Sequence, residues 1–363
     1  MRRRMVPQMD FFNNIQKWIS EFVSSPPFLG IDIGSEQLRI YLKERGIVLK
    51  EKMYEVQNTK TKDFIVFGDE AYDMLGKTPP NLKVFDPIER GRVSDFDGIV
   101  YILQKAIHRA LDPYQHTSLF SRFDALFAVP LGLTEVEEMA IVEVGKKVGA
   151  RHVFLVETPL AAGFGLKAPV LENSGSLMVD IGGGTTEVSV VSLGGVVLYK
   201  VLKIGGKDFN DGLINYVRLR YGVLIGEKTA EQIKLSLGSI LHSQDDVVEI
   251  SGRSIETGMP KTISTKVHLL FEPLYPFFGQ IIEAIKEAIE ETPPELLNDI
   301  KKKGIMLTGM SANFVDFDTY LHKELGMDIV VAQEPEYSVI RGLGFLIEHQ
   351  DIMEKVGIRF GKI

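Results

Sequence analysis

The chain contains no cysteine. Disulfides, thiolate metal sites and cysteine nucleophiles are therefore excluded, in keeping with a reducing cytoplasm. No run of about 18 or more apolar residues occurs, which is the length a helix needs to cross a bilayer. Positive charge is in short supply: 41 Lys and Arg stand against 49 Asp and Glu, for a net charge of −8. That balance argues against nucleic-acid binding and gives the body no general pull toward anionic lipid. The 7 His show no metal-ligand spacing, and His152, set in an apolar run, reads as packed. Tryptophan occurs once, at Trp18. What remains is 363 residues, 45% hydrophobic and 25% charged, a composition that predicts a soluble globular chain of two domains.

The most informative stretch is Val179-Asp180-Ile181-Gly182-Gly183-Gly184-Thr185-Thr186-Glu187. A β-branched run stops at three glycines and resumes as alternating Val and Ser. Glycine permits a tight turn and close approach to a ligand, and such a turn presents backbone amides to phosphate. By itself the pattern is equally compatible with a plain hairpin. A second copy changes the balance: Leu29-Gly30-Ile31-Asp32-Ile33-Gly34-Ser35 is again strand, Asp, apolar, Gly, hydroxyl. Two such hairpins suggest a phosphate tail clamped between similar domains, with Asp180 placed to hold a metal through water.

Residues 1–25 carry Arg2, Arg3 and Arg4 ahead of Phe11, Phe12, Ile15, Trp18, Ile19, Phe22 and Val23, whose steps place them on one helical face. The segment reads as an in-plane membrane anchor, or alternatively as a helix docked on the body or on a neighbouring subunit. A secretory signal peptide is not expected, because the apolar residues are periodic and no small-residue cleavage site follows. Ser24-Ser25-Pro26-Pro27 breaks the helix.

Strands are expected at 28–33, 38–42, 46–49, 125–129, 153–156, 247–250, 261–264 and 305–308. Helices are expected near 69–75, 97–111, 134–147, from 159, 205–221, from 226, 276–291 and 335–349. Thr134 with Glu137 has the spacing of a capping box. The small-residue helix from Pro159 suits close packing at a domain seam.

Together these features resemble the actin, sugar-kinase and heat-shock-chaperone ATPase fold, and within it the MreB family of bacterial actins. The resemblance covers roughly residues 28–350 and is densest from Val129 to Gly238. It is carried by Val-Pro-x-Gly-x-Thr-Glu-Val-Glu at 129–137, by Asp180 to Val191 with Ser192-Leu193-Gly194-Gly195, by Gly226-Glu-Lys-Thr-Ala-Glu and by Gly258-Met-Pro-Lys261. It implies an α/β, actin-like fold: two related domains, each a mixed β-sheet flanked by helices, with a nucleotide cleft between them. The expected division is 1–25 as helix and linker, 28–165 and 166–335 as the domains, and 336–363 as a C-terminal helix returning to the first.

The resemblance also implies ligands and partners. Asp32, Gly34 and Ser35 match the first phosphate loop, and Asp180, Gly182, Gly183, Gly184 and Thr185 the second. Glu231, Gln232 and Lys234 match the ribose and adenine contacts, and Gly309 the start of the final adenosine loop. ATP or GTP would come with Mg²⁺, which Asp32 and Asp180 would reach through water. Leu119 and Phe120 match a membrane-inserting loop. The expected partners are further copies of the chain in a head-to-tail filament, inner-membrane lipid, a conventional MreB and membrane proteins of cell-wall synthesis. The expected location is the cytoplasmic face of the cell membrane, and the expected role is organising cell shape.

Departures from the family pattern cluster at the chemistry. Thr158 stands where the family's water-positioning Glu precedes Pro159, and Glu157, one residue away on a strand end, is expected on the other face. Glu36 adds a negative charge beside the phosphates, and Leu38 removes a hydroxyl. Lys207 replaces a carboxylate and would either meet phosphate or point to solvent. Met310 brings a thioether to the purine. Slow or absent hydrolysis is the expectation. The alternatives are a non-hydrolysing paralogue that co-assembles with a conventional MreB and, more distantly, a small-molecule kinase.

Overall fold

The computed structural model describes residues 26–114, 122–237, 246–356 and 358–360. The N-terminal segment with Phe11, Phe12, Ile15, Trp18, Ile19 and Phe22, and the Leu119-Phe120 pair, lie outside the described residues.

Two sheets are built to one plan. In the first, the hairpin Phe28–Ile33 and Gln37–Leu42 is extended by antiparallel Gly46–Lys52 on one side and by parallel Phe123–Val129 and Ala150–Glu157 on the other. In the second, the hairpin Ser176–Ile181 and Thr186–Ser192 is extended by antiparallel Gly195–Leu202 and by parallel Ile305–Thr308 and Ile329–Val331. Each hairpin therefore leads its domain, and each turn emerges at the same end of its sheet.

Side-chain alternation assigns the faces. Leu29 and Ile31 join a core with Ile99, Ile102, Leu103, Ala106 and Ile107 of helix Phe96–Leu111. That helix is started by Asp95, which accepts from Gly98 N at 3.0 Å. Leu177, Val179 and Ile181 join a second core with Phe209, Phe278 and Ile281. Between the sheets lies a third core. Phe28, Leu126 and Ala128 from the first sheet and Met178 and Val191 from the second pack on helices Thr158–Gly165 and Ser338–Glu348. These two helices cross so closely that a Cβ on Gly342 would fall 1.6 Å from Ala161 O, and one on Gly165 would fall 1.9 Å from Ser338 O. Only glycine fits there. Arg359–Phe360 then pairs with Ala150–Glu157, at the far edge of the first sheet.

Thr134 caps helix Glu135–Lys147 as the spacing predicts: its hydroxyl accepts from Glu137 N, and Glu137 reaches back to Thr134 N at 2.8 Å. A small sheet of Glu55–Asn58, Phe64–Phe67 and Leu82–Phe85 was not expected. Its strands are only four residues long, too short for a period to show. His152 differs from expectation as well. It is partly exposed, with Nδ1 2.9 Å from Asp124 Oδ1, because its strand lies near the sheet edge.

Candidate functional site

The two hairpin turns close in the same way. Gly34 N donates to Gln37 O at 3.0 Å, and Gly182 N donates to Thr185 O at 2.9 Å. They face each other across a cleft lined by Asp32, Gly34, Ser35, Thr158, Asp180, Gly182, Gly183, Gly184, Thr185 and Gly309, with Glu36, Arg39, Glu187 and Met310 also on its walls.

None of Gly182, Gly183 and Gly184 adopts the left-handed backbone that would itself demand glycine. Their reason is proximity. A Cβ on Gly184 would lie 2.7 Å from Ser35 Oγ, and one on Gly183 would lie 2.9 Å from Glu36 Cβ. The turn is oriented by the helix that follows. Gly206 N donates to Gly182 O at 3.0 Å and Lys207 N to Gly183 O at 2.8 Å. In a trans peptide the carbonyl and the next amide point in opposite directions. The amides of Gly183 and Gly184 are therefore turned away from helix Gly206–Tyr221, an arrangement suited to an anion. Gly309 is different: its φ is 91°, and a Cβ there would meet Asp180 Oδ1 at 2.4 Å.

The electrostatics of the two hairpins diverge. Asp32 pairs across the strands with Arg39, whose Nη1 donates to Asp32 Oδ2 at 3.2 Å. Burial raises the Asp32 carboxyl, and the Arg39 charge opposes that. Asp180 pairs across its strands with Glu187. Burial, with Asp32 nearby, pushes Asp180 up to about 7. Burial, with Asp180 nearby, pushes Glu187 up to about 8. Glu187 Oε2 has no hydrogen-bond partner among the described residues.

Magnesium in nucleotide sites is commonly held by one or two carboxylates plus phosphate oxygens. Asp180 suits that role. Asp32, the other expected metal residue, has one carboxylate oxygen bonded to Arg39. Among the described residues no group of three or more His, Asp or Glu is arranged to hold a metal ion without a ligand's help.

The remaining expected residues separate into three places. Thr158 lines the cleft, and its hydroxyl donates to Val129 O at 3.0 Å. Glu157, at the N-cap of the same helix, lines another depression with Leu160, Gly194 and Val356. It lies at the end of its strand and Thr158 begins the helix, and the two line different depressions. Lys234 lines a recess with Leu237, Ser311 and Phe314, and Met310 borders both this recess and the cleft. Glu231 accepts from Lys234 Nζ at 2.7 Å and from Asn210 Nδ2 at 2.8 Å. Gln232 is exposed on the surface of that helix.

Two departures have protein partners in the structure. Lys207 does not point to open solvent. Its Nζ bonds Asp86 and donates to Ser35 O at 2.7 Å, tying the second domain to the first. Burial draws its ammonium down to about 8. Arg90–Asp208 at 3.0 Å and Tyr54–Glu227 at 2.8 Å add to this cross-cleft bridge. The charge of Glu36 is taken up by Lys52. Arg39 itself was not singled out in the sequence. Its signal was there, as the one basic residue in Leu38-Arg39-Ile40-Tyr41-Leu42, on a strand expected to pair with Asp32's own.

The model of the MreB/Mbl protein family matches residues 26–355. The cell shape-determining protein MreB of Escherichia coli is 40% identical over 332 residues, covering 89% of this chain and 94% of that protein. The crystal structure of MreB5 of Spiroplasma citri bound to ADP superposes with a TM-score of 0.85 at 30% identity, covering 91% of this chain and 98% of that one. An AMPPNP-bound structure of the same protein gives the same TM-score. The MamK double helical filament shares the fold, with a TM-score of 0.73 at 20% identity over 89% of this chain and 99% of that one. With its two related sheets, its facing glycine turns and this extent of match, the chain belongs to the MreB/Mbl family and has the actin-like fold.

Proposed function

We propose that this chain is a membrane-lying bacterial actin that binds a purine nucleoside triphosphate in its cleft, assembles head-to-tail and organises cell shape, with impaired ATP hydrolysis. The carrying observation is the pair of facing turns, one of them with its Gly183 and Gly184 amides turned away from the helix that anchors it. The phosphate tail, of ATP or GTP, lies between the turns. The purine enters the recess beside Lys234 and Phe314, past Met310. The related MreB5 was crystallised with ADP and with AMPPNP, which supports nucleotide binding. A divalent ion arriving with the nucleotide would be held by Asp180 through water.

Thr158 supports the hydrolysis reading. A hydroxyl whose proton is given to Val129 O can hold a water but is a poor base. Loss of a positioned proton acceptor costs about 10²–10⁴ in rate. The test is ATP turnover and affinity of wild type beside Thr158→Glu. Thr158→Glu is expected to raise turnover at least about tenfold with affinity unchanged. Wild-type turnover equal to that of a conventional MreB overturns the reading. The same threonine favours a second reading, a non-hydrolysing subunit that co-assembles with a conventional MreB. Co-pelleting of the two proteins, each below its own assembly threshold, separates that case.

Assembly and membrane binding rest on family membership and on the sequence of residues 1–25. An open filament follows from a repeated heterologous contact that does not close. Pelleting and electron microscopy with nucleotide and lipid test it, and a chain that stays monomeric under those conditions counts against it. Deleting residues 1–24 is expected to abolish liposome binding unless Leu119-Phe120 suffices. The proposed location is the cytoplasmic face of the cell membrane, with membrane proteins of cell-wall synthesis as partners.

A further inference from the structure

A triphosphate brings a high negative charge into a cleft that already carries Asp32, Glu36, Asp180, Glu187 and Glu336 on its walls. Such a ligand needs a cation beside it, and magnesium is the usual one. In this chain one cation is already built in. Arg39 is the only basic side chain among the described residues lining the cleft. It is only 6% exposed. Its Nη1 lies on Asp32 Oδ2 at 3.2 Å and its Nη2 on Gln37 Oε1 at 2.7 Å. Its Nε is buried without a hydrogen-bond partner among the described residues.

A buried donor left unpaired is costly, and a guanidinium fork has more N–H groups than these two bonds use. The fork also matches phosphate geometry and cannot lose its charge. The Tyr337 ring, 5.7 Å from the guanidinium carbon, limits where the group can swing. Arg39 therefore has the charge, the unused donors and the fixed position of a phosphate receptor, and it holds one of the two Asp32 carboxylate oxygens.

Taking the cleft to be the nucleotide site proposed above, we propose that Arg39 supplies a cation for the phosphate tail beside the metal position at Asp180, so that nucleotide binding survives removal of divalent metal. The role is electrostatic and positional; no bond is made or broken. Replacing Arg39 by an apolar residue frees Asp32, and the cleft then behaves as a metal-dependent one.

The test is equilibrium binding of ATP to the full chain by calorimetry, in magnesium and in EDTA. Wild-type affinity is expected to agree within about threefold between the two buffers. Arg39→Leu is expected to lose about tenfold or more in EDTA and to recover most of that in magnesium. Arg39→Lys, which keeps the charge, should retain binding in EDTA. Thermal melting without nucleotide shows whether each variant is folded. Should Arg39→Leu fail to fold, the wild type in EDTA decides alone. Wild-type binding that is present in magnesium and lost in EDTA overturns the role of Arg39 and leaves the nucleotide site standing. The same holds if Arg39→Leu matches wild type in both buffers. Wild type that binds no nucleotide in either buffer overturns the nucleotide reading, and this inference with it.

Discussion

In the hairpin of the first domain, the aspartate before the turn faces an arginine across the strands; in the hairpin of the second, the equivalent aspartate faces a glutamate. Both turns are closed by the same amide-to-carbonyl bond, and both feed the same cleft. The backbone is thus repeated while the charge is inverted. One hairpin meets the ligand with a guanidinium bound to its aspartate. The other holds two buried carboxyls, Asp180 raised by burial and by Asp32, and Glu187 raised by burial and by Asp180. A duplicated scaffold fixes where groups stand, and the side chain opposite each aspartate sets what that half of the site can bind.

The largest test of this pairing is backbone fit. Gly309→Ala puts a Cβ 2.4 Å from Asp180 Oδ1 at a left-handed φ, and is expected to cost about 3 kcal/mol or more, read as a fall in Tm. By comparison, Gly34→Ala in the first turn meets Gln37 O at 2.9 Å without a left-handed φ, so its cost should be clearly smaller. Equal losses would mean that the contact of Gly309 with Asp180 of the second hairpin is no tighter than the turn of the first.

Next comes pH. Asp180 and Glu187 rise from ordinary values of 3.8 and 4.5 to about 7 and about 8. The folded state binds their protons more tightly than the unfolded state. Their contribution is fully present below the ordinary carboxylate range and drains away as pH climbs through about 8. Stability should fall between pH 6 and pH 8.5. Glu187→Gln, neutral at every pH, should gain about 2 kcal/mol at the upper end and flatten the slope of Tm against pH. A wild-type Tm that rises with pH over this window would remove the electrostatic contrast between the hairpins.

The smallest expected effect concerns the bridge between the halves. Lys207→Met removes the bonds to Asp86 and Ser35 O and should cost about 1 kcal/mol. It should also speed nucleotide release several-fold in stopped-flow displacement. An unchanged release rate would show that Arg90–Asp208 and Tyr54–Glu227 hold the cleft without it.

Much of the second hairpin could be read from the chain. Val179, Ile181, Val188 and Val190 alternate around a glycine turn, and strand period and turn chemistry are local properties. The Thr134 and Glu137 cap is local too, and so it was found. The expected core of the site, from Asp32 and Ser35 to Thr185 and Gly309, lines one cleft. What escaped has the opposite character. Arg39 looked like one polar interruption of an apolar strand, because its meaning depends on the cleft it faces. The partner of Lys207 could not be read from the chain, since Asp86 comes from the other domain. The short strands 55–58, 64–67 and 82–85 gave too few residues for a period to stand out.

The sequence by itself determined the two Asp-x-Gly hairpins, the helices with caps and continuous apolar faces, and the family. Each of these is set by neighbours within a few residues, through backbone freedom and side-chain period. Only the tertiary structure decided which charges neutralise one another: Arg39 with Asp32, Lys52 with Glu36, Lys207 with Asp86. Charge pairing acts over a few ångströms in space, and folding the two domains face to face is what brings the cleft's partners within that range.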